Sequence, residues 1–230
     1  MPIYNVDNVL AFPSPDLAEN DGLLAIGGDL SLQRLQLAYN MGIFPWFNEG
    51  GPLLWWSPDP RMVLFPDELH IAKSMRPLLR SKRFHLTADH AFTQVVQSCQ
   101  KAPRPGQDGT WITEEMVEAY VDLHRAGWAH SVEVWEGDQL VGGLYGVVVG
   151  QVFCGESMFA KIPNTSKLAF IRLTQMLRKR NFTLIDCQIY TEHLARLGAR
   201  EIPRHAFQAH LPSEPFDFSA RESWYGWDWS

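Results

Sequence analysis

The first helical rhythm in the chain lies in SLQRLQLAYNMG, where Leu32, Leu35, Ala38 and Met41 recur at steps of three and four. Ser31 stands as its N-cap, and Gly42 is placed to end it in the left-handed conformation. Ahead of it, residues 12–30 are dense in Pro, Asp and Gly and read as loop and turns. Behind it, IFPWFNEGGPLLWWSPDPRMVLF sets tryptophans among prolines and glycines and reads as a rigid, aromatic-lined surface loop. A boundary near Arg61 to Pro66 divides a small N-terminal domain, residues 1–62, from a larger one, residues 63–230.

Beyond that boundary HIAKSMRPLLRSKR predicts a short helix with Pro77 confined to its first turn. In TADHAFTQVVQSCQ, Phe92, Val95, Val96 and Cys99 share a helical face, with Thr87 or Asp89 as cap. WITEEMVEAYVDLHRAG starts at Thr113 with Glu114 and Glu115 in its first turn, carries Met116, Tyr120 and Leu123 inward, and stops at Gly127. The period then switches to two. SVEVWEGDQLVGGLYGVVVGQVFCGESMF predicts three antiparallel strands that turn at Gly137-Asp138 and Gly150-Gln151. A helix from Ser166 to Arg180, the strand TLIDCQI and a short helix in TEHLARLG complete the series. This order predicts an α+β protein with a mostly antiparallel sheet, of the kind found in N-acetyltransferase (GNAT-like) folds.

The 230 residues are 46% hydrophobic and 20% charged, enough for a sizeable core. No apolar run is long enough to span a bilayer and the start lacks a signal-peptide pattern, so a cytoplasmic protein is expected. Cys99, Cys154 and Cys187 form no CxxC pair; they read as core residues of a reducing compartment, with no zinc site. The net charge of −6 announces no nucleic acid. Its distribution is less uniform: residues 61–83 hold six basic and two acidic side chains, and residues 161–185 hold six basic and none acidic. Either stretch is a solvated face or a landing strip for a polyanion, and composition leaves both open.

Two strands carry candidate chemistry. In LIDCQI, alternation puts Asp186 and Gln188 on one face with Leu184, and Ile185, Cys187 and Ile189 on the other. Burying an acid and an amide costs about 1 to 3 kcal/mol for each polar group left unsatisfied. The pair is therefore either a structural one bonded to backbone or a site. In FCGESMF the same alternation gives Cys154, Glu156 and Met158 one face, so Glu156 needs a cationic or amide partner, such as an aminoacyl ammonium group or a nearby Lys or Arg like Lys167. The run is not a serine nucleophile elbow, because Phe159 fills the last position of that motif. HExxH, GxxxxGK[ST] and GxGxxG are missing. The joint where a coenzyme A pyrophosphate would need backbone amides reads AKIPNTSK, with Pro163 and no glycine, which argues against an acyl-CoA donor. No metal and no cofactor is expected. Trp46 and Trp111 sit at element edges, where an indole either completes packing or stacks on a nucleobase.

The runs GLLAIGGDLS, AYNMGIFPWF, LWWSPDPR, TWIT, HSVEVW, LVGGLYGV, FCGESMF and LIDCQ, in this order, resemble the leucyl/phenylalanyl-tRNA-protein transferase family from about Phe12 to Phe207. The resemblance implies transfer of Leu, Phe or Met from aminoacyl-tRNA to the α-amine of proteins beginning with Arg or Lys, marking them for degradation by the N-end rule. It further implies that Asp186 orients the Gln188 amide, that Gln188 accepts a hydrogen bond from the attacking amine, and that Glu156 engages the aminoacyl group. Trp46 and Trp111 would bracket the terminal adenosine, and Leu144, Phe153, Met158, Phe170, Leu173 and Ile185 would line a side-chain pocket. Lys73, Arg76 and Arg80 match the family's tRNA-binding cluster, which Lys82 and Arg83 extend within the same basic stretch. A monomer is expected. An acetyl-CoA-dependent N-acetyltransferase and a plain RNA-binding module are the alternatives. The tail from Pro212 to Ser230, with Trp224, Trp227 and Trp229, lies outside the resemblance and receives no role.

Overall fold

The computed structural model describes residues 3–103, 111–213, 223–227 and 229. A four-stranded sheet is built from β1 (Tyr4–Val6), β2 (Leu23–Gly27), β3 (Phe44–Pro45) and β4 (Leu54–Trp56), in the order β1-β2-β4-β3. The larger sheet holds seven strands: β5 (Arg61–Leu64), β6 (His85–Ala88), β7 (Ala129–Glu136), β8 (Gln139–Val149), β9 (Val152–Ala160), β10 (Leu184–Gln188) and β11 (Arg200–Ile202). Their order is β11-β5-β10-β9-β8-β7-β6, antiparallel throughout except for the parallel pair β9 and β10. Among the described residues the helices are α1 (Leu32–Asn40), α2 (Arg76–Arg80), α3 (Phe92–Lys101), α4 (Glu114–Arg125), α5 (Thr165–Lys179), α6 (Glu192–Ala195) and α7 (Arg204–Gln208).

Periodicity places the central elements well. The three-strand meander β7 to β9 turns at Gly137 and Gly150, both at positive φ. Thr113 caps α4 by accepting a hydrogen bond from the Met116 amide, and Pro77 occupies the first turn of α2, where its missing N–H costs nothing. The two sides of the large sheet carry separate cores. One packs α3 and α4, with Val95, Met116, Tyr120 and Tyr145, and is continuous with α1 and the small sheet through Leu35, Tyr39 and Trp55. The other packs α5 through Leu168, Phe170, Leu173 and Leu177.

Several local readings are corrected. Residues 12–30 are not only loop, because Leu23–Gly27 forms β2 between β1 and β4. The tryptophan-rich stretch contains β3, β4 and β5 rather than one surface loop, and Trp55 is buried, donating its indole N–H to the Gly27 carbonyl. Arg61–Leu64, at the expected boundary, pairs on both edges with β10 and β11 and so belongs to the large sheet. Neither Thr87 nor Asp89 caps α3: Thr87 lies in β6, and Asp89 takes a left-handed φ of 60° and turns its carboxylate to Ser131 and His130. The strands escape notice because short strands paired to distant partners carry too few residues to show a period, and the cap because Ser131 and His130 claim the Asp89 carboxylate.

Candidate functional site

Pairing between β9 and β10 stops at Asp186 opposite Cys154, although β9 runs on to Ala160 against β8. Two bulges lie at that point. Tyr145 and Gly146 of β8 face Ser157 and Gly155, leaving Glu156 as the extra residue on β9. Val63 and Met62 of β5 face Asp186 and Gln188, leaving Cys187 as the extra residue on β10, and Gln188 takes a left-handed φ of 63°. A bulge breaks the strict alternation of a strand and re-aims the side chains beyond it. Cys154, Glu156 and Met158 therefore do not share a face: Cys154 belongs to the core under α3 and α4, whereas Met158 packs on the core under α5. Glu156 and Gln188 are turned toward each other across the gap, and Gln188 Nε2 donates to Glu156 Oε1 at 2.9 Å.

A cavity of about 370 Å³ opens there. Leu144, Phe153, Met158, Phe170 and Ile185 form apolar wall, Trp46 and Trp111 are also at its surface, and Glu156, Asp186 and Gln188 bring the polar atoms. Leu173 is not part of the wall; it is fully buried in the core behind. Sequence reasoning missed Phe44, Tyr145, His193 and Leu194, which line the same cavity. Nothing local marks them, because β3, β8 and α6 converge here only in the folded chain.

Asp186 is fully buried, and its hydrogen bonds go to Arg61 and the backbone rather than to the Gln188 side chain. Its carboxylate accepts from Arg61 Nε at 2.8 Å and from Nη2 at 2.7 Å, a two-pronged pair inside the protein, and Oδ1 also accepts the Gln188 backbone N–H at 2.9 Å. The aspartate thus holds the backbone of the left-handed residue, and the amide is oriented by Glu156. Burial works against the charge of Arg61, but Asp186 outweighs it and lifts the guanidinium above its ordinary range. The guanidinium also lies between the rings of Phe44 and Phe207, at 4.8 and 4.6 Å from their centroids. Sequence reasoning marks Arg61 only as a boundary residue. A lone arginine opening the apolar run RMVLF is the signal that could have found it, since such a charge must be paired to be buried.

Glu156 is held by Tyr120 and Gln188, not by Lys167. Tyr120 donates its hydroxyl to Oε2 at 2.8 Å, and Tyr39 of α1 meets Tyr120 at 2.6 Å. Burial and the nearby Glu156 charge push both phenols well above their usual range, so both keep their protons. With the Tyr120 proton committed to Glu156, donation runs from Tyr39 to Tyr120 to the carboxylate. Burial raises the Glu156 carboxyl to about 7, with Asp186 adding to the rise and the tyrosine bonds opposing it. The thiols of Cys154 and Cys187 are pushed up by burial, so neither is poised as a thiolate nucleophile.

Lys73, Arg76, Arg80, Lys82 and Arg83 are all exposed, on the turn before α2, on α2 and just after it. Arg83 is engaged locally, with Nε at 2.5 Å from Glu136 and its guanidinium over the Phe84 ring. Among the described residues no group of three or more His, Cys, Asp or Glu side chains is arranged to hold a metal ion, and no helix is long and apolar enough to cross a membrane. The coenzyme A joint becomes a tight turn with Asn164 at a φ of 71° before α5.

An apolar cavity at the split between β9 and β10, holding a carboxylate bonded to an amide, has the make-up of a binding site for a mostly apolar group with a polar end. The family described as Leucyl/phenylalanyl-tRNA protein transferase matches residues 63–212, and its N-terminal domain matches residues 28–59. A Leucyl/phenylalanyl-tRNA–protein transferase of Anaeromyxobacter sp. (strain Fw109-5) is 58% identical over 211 residues, 92% of this chain and 90% of its own. One from Flavobacterium johnsoniae is 56% identical over 212 residues, 92% of this chain and 100% of its own. A GCN5-related N-acetyltransferase from Kribbella flavida aligns with a TM-score of 0.34 at 9% identity, covering 71% of this chain and 58% of its own. That likeness is too weak to carry weight, and the α+β class rests on the strands themselves. The chain belongs to the leucyl/phenylalanyl-tRNA–protein transferase family and is an aminoacyltransferase.

Proposed function

We propose that the chain moves Leu, Phe or Met from aminoacyl-tRNA to the α-amine of proteins that begin with Arg or Lys, creating a degradation signal. The observation that carries this reading is the Glu156–Gln188 pair at 2.9 Å inside an apolar cavity of about 370 Å³. The side chain of the donor fits the wall made by Leu144, Phe153, Met158, Phe170 and Ile185, which rejects charged groups because they would lose their water unpaired. Trp46 and Trp111 offer indoles for the terminal adenosine. The donor's ammonium group meets Glu156; a cation there favours the ionised carboxylate and offsets the burial that raises its pKa.

The Gln188 amide donates through Nε2 to Glu156, so Oε1 is the atom left to accept an N–H from the attacking amine. A neutral amide is too weak a base to remove that proton outright, so Gln188 acts by orientation. Asp186, locked to Arg61, keeps the left-handed backbone of Gln188 in place. The amine nitrogen bonds to the ester carbonyl carbon, the carbon–oxygen bond to the ribose breaks, and the ribose oxygen leaves as a hydroxyl carrying the proton the amine sheds. Exposed Lys73, Arg76, Arg80 and Lys82 supply tRNA phosphate contacts, with Arg83 at the edge. The enzyme works as a monomer in the cytoplasm, without metal or cofactor.

Incubation with labelled leucyl-tRNA and a peptide beginning with Arg should label the peptide, and acetylating that terminus should abolish transfer. Equal labelling of the free and acetylated peptides overturns the reading.

A further inference from the structure

The tail past residue 212, where the family match ends, carries three tryptophans that no part of the transfer reaction uses. Two of them are buried: Trp224 is 3% exposed and Trp227 8%. They belong to a continuous stack. The His130 ring of β7 lies 4.3 Å from Trp224 at an interplanar angle of 8°, Trp224 lies 4.2 Å from Trp227, and the Arg180 guanidinium after α5 covers Trp227 at 4.3 Å. Asp89 pins the entrance, with Oδ2 accepting from the Trp224 backbone at 3.1 Å and bonding His130 Nδ1 at 2.8 Å.

Trp224 also touches Phe153, with ring centroids 5.6 Å apart. Phe153 lines the cavity, but Trp224 does not. The indole therefore stands behind a wall residue. Phe153 has little other freedom, because it lies across Gly146, where a Cβ would come within 2.5 Å of its Cζ atom. Its position in the wall is set by the glycine on one side and the tail on the other.

We propose that Trp224 is a specificity-positioning residue: stacked between His130 of β7 and Trp227, it holds Phe153 forward and so sets the depth of the donor side-chain pocket. This inference rests on the assignment of that cavity to the donor side chain. A close-packed interior transmits such a change, since a void behind a ring leaves nothing to stop its retreat. Retreat enlarges the pocket, which favours a phenyl group over an isobutyl group.

The test is the ratio of kcat/KM for phenylalanyl-tRNA to that for leucyl-tRNA, on the full chain with an Arg-start peptide. Trp224→Leu should raise the ratio about tenfold or more, the scale of discrimination that a hydrophobic pocket gains from a methylene. Trp224→Phe keeps a ring against Phe153 and should hold the ratio within about twofold of the parent. Trp227→Leu, which loosens the stack from behind, should move it in the same direction by a smaller factor and decides the matter if Trp224→Leu does not fold. A constant ratio, with both donors slowed alike, overturns the proposal and leaves Trp224 a stabilising residue. Failure of the parent chain to transfer from either tRNA refutes the function itself.

Discussion

Replacing Glu156 with Gln tests the electrostatics of the cavity without changing its shape. The folded carboxyl titrates near 7, against 4.5 for an ordinary glutamate. Because the folded pKa is the higher one, the native state holds the extra proton between these values, and stability falls as pH rises through that window. Each pH unit is worth about 1.4 kcal/mol, so the ionised Glu156 costs about 3 kcal/mol of folding free energy at pH 8 relative to pH 4.5 and below. Glu156→Gln keeps one oxygen, to accept from either Tyr120 or Gln188, sets an NH2 group against the other donor at every pH alike, and has nothing to titrate. Urea unfolding of both proteins at pH 4.5, 6, 7 and 8 should show the variant gaining on the parent by about 3 kcal/mol across the series. Every other titrating group is common to both and cancels in the difference. Parallel stability curves would refute the raised pKa, and with it the claim that an incoming ammonium group finds a carboxylate made costly by burial.

Arg61→Met strands Asp186 as a buried, uncompensated charge and should cost about 3 to 5 kcal/mol in urea unfolding, with transfer lost as the Gln188 backbone is released; Arg61→Met/Asp186→Leu should recover much of the stability but not the activity. Tyr120→Phe removes the hydroxyl that donates to Glu156 at 2.8 Å, which should raise the carboxyl's pKa further and move the acidic limb of the pH–rate profile upward; an unmoved limb would separate Glu156 ionisation from the reaction. Arg76→Ala and Arg80→Ala should each weaken tRNA binding and lower the slope of log affinity against log salt by about 1, whereas an unchanged slope would make the exposed basic helix a merely solvated surface.

Much of the architecture is legible because it is repetitive. α4, the β7 to β9 meander and α5 are long enough for their apolar period to speak, and their turns carry Gly137, Gly150 and Gly127 at positive φ. The small sheet is not legible, since β1, β3 and β4 span two or three residues each and exist only through partners elsewhere in the chain. The site divides the same way. Residue identities name Glu156, Asp186 and Gln188, because acids and an amide in apolar strands need partners that the strand itself does not supply.

Alternation misleads about where those residues point, because a bulge is invisible to a period-two argument: it is decided by which residue of the neighbouring strand is skipped. Arg61 of β5 meets the Asp186 carboxylate, and Tyr120 of α4, backed by Tyr39 of α1, meets that of Glu156, only after two cores have closed on the large sheet. The amino-acid sequence by itself determined the α+β class, the long elements and the chemical groups on hand, all set by local spacing and side-chain type. Tertiary structure decided the partners of each charge, the width of the gap between β9 and β10, and the seat of the terminal tryptophans, because burial and pairing depend on residues that are neighbours only in space.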